Sequence, residues 1–178
     1  MAFLVAVVVF LGVLCVLNLV FTFGVVRRLR EHTQILDRLG DGGHAKVMLA
    51  SGETVGAFSA STVDGTVVSR DGLTGPLLVG FFSASCAPCK AALPRFVDNA
   101  KQHPGGREHV LAVVVTQDDE IAAPYVAELS EVAMVVREAD NGPTAQAFGV
   151  VGFPAFAMVG PDGVVTVSDT ALLELSPA

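Results

Sequence analysis

Two cysteines separated by two residues carry the clearest chemical signal in this chain. Cys86 and Cys89 directly follow an apolar run at residues 77–82, and the pattern at residues 90–93 predicts a helix. A helix N-terminus carries a partial positive charge and unpaired N–H groups, and both stabilise a thiolate, the reactive form of cysteine. Because two intervening residues let the second sulfur reach the first, the spacing predicts a redox-active disulfide that exchanges with a partner.

Two other interpretations of the pair remain open from the residues alone. Zinc normally takes four ligands, such as a second cysteine pair or a histidine pair. The third cysteine, Cys15, lies in an apolar N-terminal run, and the four histidines form no pair with ligand spacing. Two inert buried thiols are the other alternative, since free cysteine is often buried. We expect neither a bound metal nor a cofactor.

The N-terminal segment predicts a membrane anchor. Residues 1–26 contain no charged side chain, and Asn18 and Thr22 are their only clearly polar interruptions. About 20 apolar residues suffice to span a bilayer. A cleaved signal peptide would need a basic start, a shorter apolar stretch and a small-residue cleavage site, and none is evident. An uncleaved transmembrane helix over residues 1–26 is therefore predicted.

The remaining chain divides into a short connection and one domain. Residues 27–46 combine a helical pattern with the flexible sequence at 40–43, Gly-Asp-Gly-Gly, and are interpreted as stalk and linker. Residues 47–178 have the length of a single domain. The formal net charge of −7 argues against nucleic-acid binding, which requires a basic surface.

Strands alternate with helices along the domain. This alternation predicts an α/β fold with a central, mostly parallel sheet that is covered on both faces, and terminal hairpins that add antiparallel edges. The predicted elements are a hairpin over 62–69, strands at 76–83, 110–116, 132–137, 155–159 and 164–167, and helices at 87–102, 118–130, 143–148 and 169–175.

Three stretches of the domain resemble thioredoxin-like proteins. Residues 80–90 with Leu93-Pro94 resemble the active-site signature of that superfamily, and residues 148–156 resemble its second signature, a loop with proline that enters a strand. Residues 160–163 look like the hairpin that follows. The upstream segment 62–75 and the anchor narrow the likeness to the membrane-anchored TlpA and ResA branch and to MauD-type proteins.

The resemblance implies a role for each matching residue. Cys86 would be the nucleophile and Cys89 the resolving thiol, with the two forming the redox-active disulfide. Pro154 would be a cis proline that faces this disulfide and shapes the substrate groove. X–Pro bonds tolerate the cis form at a cost of about 0.5–1 kcal/mol.

The other groove residues follow from the same resemblance. Phe153 would flank the groove, and Ala87 and Pro88 would lie between the two cysteines. Pro94 has the spacing of a proline that kinks the active-site helix in this superfamily.

The chain also departs from its relatives. It has no tryptophan, although many relatives have one shortly before the motif. Thioredoxins place a buried acid on the strand before the motif, and Gly80 stands at the matching position. Transfer of the Cys89 proton through a protein carboxylate is therefore not expected.

The resemblance implies a membrane-anchored thiol:disulfide oxidoreductase, acting as a reductant in cytochrome c or metalloenzyme maturation. Its expected partners are a protein substrate with a disulfide or dithiol and a membrane electron donor of the DsbD or CcdA type. The domain is expected outside the cytoplasm, where disulfide exchange occurs. Arg27, Arg28 and Arg30 favour the opposite orientation by the positive-inside rule.

Two alternative functions remain open. Ser83, three residues before Cys86, matches part of a thiol peroxidase motif, although Val79 replaces the proline of that motif. A redox-inactive assembly or chaperone module is the other alternative.

Overall fold

The computed structural model describes residues 46–168, together with Val5, Gly12 and Leu14. The chain divides into two compact units, Met1–Ala45 and Lys46–Ala178, and the fold below belongs to the second. Almost all of the predicted anchor and stalk, and the predicted helix at 169–175, lie outside the described residues. Among the residues that are described, no helix is both long and apolar enough to cross a membrane.

A five-stranded mixed sheet forms the centre of the second unit. In chain order, the elements are β1 (Ser59–Ser61), β2 (Val67–Ser69), β3 (Leu77–Ser83), α1 (Ala87–Gln102), β4 (Val110–Val115), α2 (Asp119–Leu129), β5 (Met134–Glu138), α3 (Pro143–Ala147), β6 (Ala155–Val159) and β7 (Val165–Ser168). The strand order is β5-β4-β3-β6-β7. Strands β3, β4 and β5 are parallel, whereas β6 and β7 run antiparallel. The predicted α/β alternation is confirmed.

The central strand β3 and its neighbour β4 are apolar because both faces of the sheet are covered. All six residues of β4 and the first six of β3 are buried. On one face the sheet packs against α1 and α2 through a core that includes Phe96 and Leu129. The other face packs against α3 and the chain before β3, through residues such as Phe58 and Phe148. This double coverage explains the continuous apolar runs in the sequence.

The first hairpin differs from the prediction. We expected it to extend the edge of the central sheet, but β1 and β2 form a separate two-stranded sheet. A single antiparallel bridge, between Thr62 and Val136, connects it to β5. The strands have three residues each, and the chain turns at once where the Thr62 hydroxyl donates to Asp64 and to the carbonyl of Thr66. The pairing with β5 is therefore limited to one bridge, and the hairpin does not add an edge strand to the central sheet.

Helix α1 continues through Pro94, as the resemblance implies. A proline within a helix removes the hydrogen bond to the carbonyl four residues earlier, which is that of Lys90. Both residues are exposed, so water can reach this turn of the helix. The predicted bounds of α1 agree with the structure, whereas β5 begins two residues later than predicted. Val132 and Ala133 instead close the end of α2 by donating to the carbonyl of Leu129.

The carboxylate of Glu138 caps the short helix α3, and its loss is expected to destabilise the fold. Its two oxygens accept hydrogen bonds from the backbone N–H groups of Thr144 (2.9 Å) and Ala145 (3.2 Å). The replacement Glu138→Ala leaves both buried donors without this acceptor and should lower the free energy of unfolding by about 2 kcal/mol. Urea denaturation measures this change, with Glu131→Ala, an exposed site, as the control. Equal effects of the two replacements would contradict the capping role.

Candidate functional site

The two cysteines lie where β3 ends and α1 begins. Cys86 is the N-cap of α1, and Cys89 lies in its first turn. Both are free thiols. Cys86 is partly exposed, whereas Cys89 is completely buried among apolar side chains. A substrate can therefore reach the first sulfur but not the second.

The first turn of α1 has fewer free donors than most helices. Pro88 stands within this turn and has no N–H group, so it offers no donor to the N-cap side chain. The Cys86 side chain accordingly makes no capping hydrogen bond. Ala87 and Pro88 are both exposed. The motif thus presents an apolar, uncharged surface between the two sulfurs.

The proline loop before β6 lies against Cys86. The peptide bond between Phe153 and Pro154 is cis, as the resemblance implies. The Cys86 thiol donates a weak hydrogen bond to the Phe153 carbonyl, with 3.6 Å between sulfur and oxygen. Phe153 and Pro154 are both partly buried. Residues that are 67 positions apart in sequence are thereby brought into one site.

The exposure of Val151 was not predicted. Val151 is 81% exposed and directly precedes the Gly152-Phe153-Pro154 segment. The sequence offered only its place in the loop at residues 148–156. Its exposure could not be read from the pattern.

Burial makes the second thiol hard to ionise. Burial, followed by the contact with Cys86, raises the pKa of Cys89 to about 12. The charged form of a buried acid is disfavoured because it loses its hydration. At neutral pH Cys89 is therefore a neutral thiol, and it must lose a proton before it can act as a nucleophile.

An aromatic ring fills the space beside Gly80, the position at which the resemblance to thioredoxins implies a buried acid. A Cβ atom at Gly80 would lie 2.6 Å from Cε2 of Phe96, closer than real Cβ contacts allow. Phe96 packs against Phe82 and Phe156 at ring-centroid distances of 5.2 and 5.8 Å. Position 80 therefore has no room for a carboxylate.

Tyr125 on α2 belongs to the same buried cluster as Cys89. The residue is 4% exposed, and its hydroxyl has no hydrogen-bond partner within the part of the chain that the structure describes. Burial, and then the charges of Cys89 and Cys86, raise its pKa. Sequence reasoning missed this residue because its inward position in α2 is that of an ordinary core residue.

No cluster of three or more histidine, cysteine or acidic residues able to hold a metal ion occurs within the described ranges. Ser83, considered above for a peroxidase motif, lies at the end of β3. Its hydroxyl is 3.3 Å from that of Ser85.

Three solved structures illustrate the likeness of this chain to known proteins. The thioredoxin domain of a thiol-disulfide oxidoreductase from Bacteroides vulgatus is 23% identical, with a TM-score of 0.54 over 68% of this chain and 89% of that one. A secreted Mycobacterium tuberculosis disulfide oxidoreductase homologous to E. coli DsbE is 23% identical, with a TM-score of 0.51 over 61% and 80%. MTB DsbF, solved in its mixed oxidised and reduced forms, is 27% identical, with a TM-score of 0.51 over 61% and 80%.

A family model described as AhpC/TSA family matches residues 51–168. No curated protein matches the sequence significantly. The matched segment is well over half of the chain and includes all seven strands, both cysteines and the proline loop. The prediction of a thioredoxin-like oxidoreductase is confirmed, and the chain belongs to the AhpC/TSA family.

Proposed function

We propose that this chain is a membrane-anchored thiol:disulfide oxidoreductase that exchanges its Cys86–Cys89 disulfide with protein substrates. The observation that carries the proposal is the arrangement of the two thiols. One sulfur is accessible at the N-terminus of α1 and contacts the Phe153 carbonyl, and the other is buried behind it in the first turn of the same helix.

The difference in exposure assigns the order of the two steps. In the reducing direction, the Cys86 thiolate attacks one sulfur of a substrate disulfide, forms a mixed disulfide and expels the other substrate sulfur as a thiolate. Cys89 then loses its proton and attacks Cys86. The mixed disulfide breaks, the second substrate sulfur leaves, and the chain holds the Cys86–Cys89 disulfide. Two electrons pass from the chain to the substrate.

The groove favours an extended apolar segment of polypeptide. We assign its surface to Ala87, Pro88, Phe153 and Pro154, and none of these side chains is charged. Once Cys86 enters a disulfide, its S–H no longer occupies the Phe153 carbonyl. That oxygen can then accept a hydrogen bond from a backbone N–H of the substrate, which holds the substrate sulfur beside Cys86.

The cellular setting is part of the proposal. The apolar segment 1–26 supports anchoring, and the structural likeness to a secreted disulfide oxidoreductase supports placement outside the cytoplasm. We favour this placement over the orientation indicated by Arg27, Arg28 and Arg30, because disulfides persist in oxidising compartments. There the chain acts as a reductant in cytochrome c or metalloenzyme maturation, and a membrane donor of the DsbD or CcdA type keeps Cys86 and Cys89 reduced.

The reduction potential of the pair tests this proposal directly. We expect the full chain in detergent to show one reversible two-electron couple at about −270 mV or below, in the range of thioredoxin. Equilibration with glutathione and dithiothreitol buffers, followed by alkylation of free thiols, measures it. A value near about −120 mV, similar to that of DsbA, would reverse the proposed direction. The absence of a reversible couple would contradict the function itself.

Thiol peroxidase activity is the second candidate. The match to the AhpC/TSA family and the place of Ser83 three residues before Cys86 favour it. Consumption of hydrogen peroxide by the purified chain, lost in Cys86→Ser, would establish it. An unchanged peroxide concentration, together with a reversible Cys86–Cys89 couple, would exclude it in favour of disulfide exchange.

A further inference from the structure

The loop that presents the Phe153 carbonyl has few backbone contacts of its own. Residues 148–150 donate backbone hydrogen bonds to carbonyls of α3, but residues 151–154 belong neither to α3 nor to β6. In the described part of the chain, the backbone of Gly152 and Phe153 makes no hydrogen bond other than the one that the Phe153 carbonyl accepts from Cys86. The position of this carbonyl must therefore be fixed through the residues beside it.

A segment at the start of the domain holds this loop. We call residues 47–49 the N-terminal strap. The Val47 carbonyl accepts a hydrogen bond from the N–H group of Val151 at 2.8 Å. The N–H group of Leu49 donates to the Phe148 carbonyl at 3.0 Å. The strap therefore binds the backbone of the loop at two points.

The side chains of the strap pack against two glycines of the loop. A Cβ atom at Gly152 would lie 3.2 Å from Cγ1 of Val47. A Cβ atom at Gly149 would lie 3.3 Å from Cδ2 of Leu49, and both distances are shorter than most Cβ contacts in proteins. Between these two strap residues, Met48 is 3% exposed and belongs to the core that packs against α3. The strap is thus fixed to the core in its middle and contacts the loop with the residues at both of its ends.

The strap was not expected to belong to the site. The predicted domain begins at residue 47, and no residue before Cys86 was assigned to the groove. The match to the AhpC/TSA family begins at residue 51, so it includes Cys86, Phe153 and Pro154 but not the strap. Only the contacts in the structure connect residues 47–49 to the groove.

We propose that the N-terminal strap positions the proline loop for polypeptide substrates, with Val47 as the residue that sets the place of Gly152. The proposal rests on the proposed function and adds a determinant of substrate specificity to it. In that function, the Phe153 carbonyl accepts a hydrogen bond from a backbone N–H group of the substrate. Such a bond requires about 2.7–3.2 Å between nitrogen and oxygen, so even a small shift of the loop weakens the binding of a polypeptide.

A small disulfide does not depend on this hydrogen bond. 5,5′-Dithiobis(2-nitrobenzoate) has no peptide N–H group, so its reaction needs only the Cys86 sulfur. Attack by Cys86 releases one thionitrobenzoate and forms a mixed disulfide with the other. A displaced loop in an otherwise intact domain should therefore impair the reduction of insulin disulfides, while the reaction with the small disulfide stays normal. A loss of fold would impair both reactions.

Three variants test the contact between the strap and the loop. Gly152→Ala places a methyl group against Val47, Val47→Ala leaves a gap beside Gly152, and the double variant refills this gap. The φ angle of Gly152 is not positive, so alanine meets no backbone strain there. The control is Gly72→Ala, whose Cβ atom would lie 3.1 Å from Oγ of Ser69, outside the groove. Every chain is used at full length in detergent and carries Cys15→Ser, so that only the active-site pair reacts.

We expect Gly152→Ala to raise KM for insulin about 10-fold with little change in kcat, an effect within the range of coupling between residues in contact. Val47→Ala should raise KM less. The double variant should have a lower KM than Gly152→Ala alone, because the methyl group at position 152 then has room. Release of the first thionitrobenzoate should match the parent in all of these variants. Gly72→Ala should match the parent in both reactions.

Four results would overturn the proposal. An unchanged KM in Gly152→Ala, with normal turnover of insulin by the parent, would leave the proposed function standing without a role for the strap. A KM in the double variant no lower than in Gly152→Ala would show that Val47 does not set the place of the loop. Equal slowing of both reactions with a lowered unfolding midpoint would indicate a structural role only. A parent chain that reacts with neither disulfide would remove the proposed function as well.

Discussion

Replacement of Cys86 by serine is expected to reduce disulfide exchange to the background rate. Cys86 is the sulfur that a substrate can reach, because Cys89 is completely buried behind it. A serine hydroxyl does not ionise near neutral pH and cannot form the mixed disulfide. The reduction of insulin disulfides, with dithiothreitol as the electron source, measures the loss. Cys15→Ser, in the N-terminal segment of the sequence, is the matched control and should retain full activity.

The corresponding change at the second cysteine separates attack from resolution. Cys89→Ser keeps the nucleophile but removes the sulfur that releases the substrate, so turnover should stop at a mixed disulfide on Cys86. Non-reducing electrophoresis and mass spectrometry of the adduct identify the trapped partner. Full activity in Cys86→Ser, or a trapped adduct on Cys89 instead, would contradict the assignment of the two roles.

Much of the fold can be predicted from the sequence because local patterns and the core agree. The apolar runs that became β3 and β4 are buried on both faces, and α1 has the predicted bounds from Ala87 to Gln102. The hairpin at 62–69 was predicted as an element, but its placement was not. Whether a three-residue strand joins a neighbouring sheet depends on tertiary contacts such as the bridge from Thr62 to Val136.

Only those residues of the candidate site that belong to a sequence motif can be predicted from the sequence. Cys86, Cys89 and Pro154 stand in recognisable local sequences, and the structure brings Cys86 and the proline loop together. Tyr125 has no such signal. An aromatic residue on the inner face of α2 is indistinguishable from other core residues in sequence, and only the packing of α2 beside α1 places it in the cluster with Cys89.

Gly80 also shows that the sequence predicts only part of the site. The sequence shows a glycine at the position where the resemblance to thioredoxins implies an acid, but it does not show what fills the space. In the structure Phe96 fills it, and this ring stacks on Phe156 and meets Phe82 edge-on. The packed aromatic rings therefore occupy the space that an acid at position 80 would need. A single replacement of Gly80 does not free this space.

Introducing an acid by Gly80→Asp is accordingly expected to destabilise the domain severely. Overpacking of a core costs about 1–3 kcal/mol, and an unpaired buried carboxyl group adds several kcal/mol, so we expect a loss of at least about 4 kcal/mol in the free energy of unfolding. Urea denaturation measures the loss. Gly80→Ala tests the steric part alone and should cost about 1–3 kcal/mol. The φ angle of Gly80 is not positive, so alanine meets no backbone strain there.

A second variant distinguishes the clash from other causes. Phe96→Leu creates space beside Gly80, so the double variant Gly80→Ala with Phe96→Leu should be more stable than the sum of the two single losses predicts. Because a Cβ atom added at position 80 would lie 2.6 Å from the Phe96 ring, a coupling of about 1 kcal/mol or more is expected from the double-mutant cycle. Additive losses would show that the Phe96 ring does not limit position 80. A stable Gly80→Asp chain with a faster resolving step would show that the ring moves aside to admit a carboxylate that accepts the proton of Cys89.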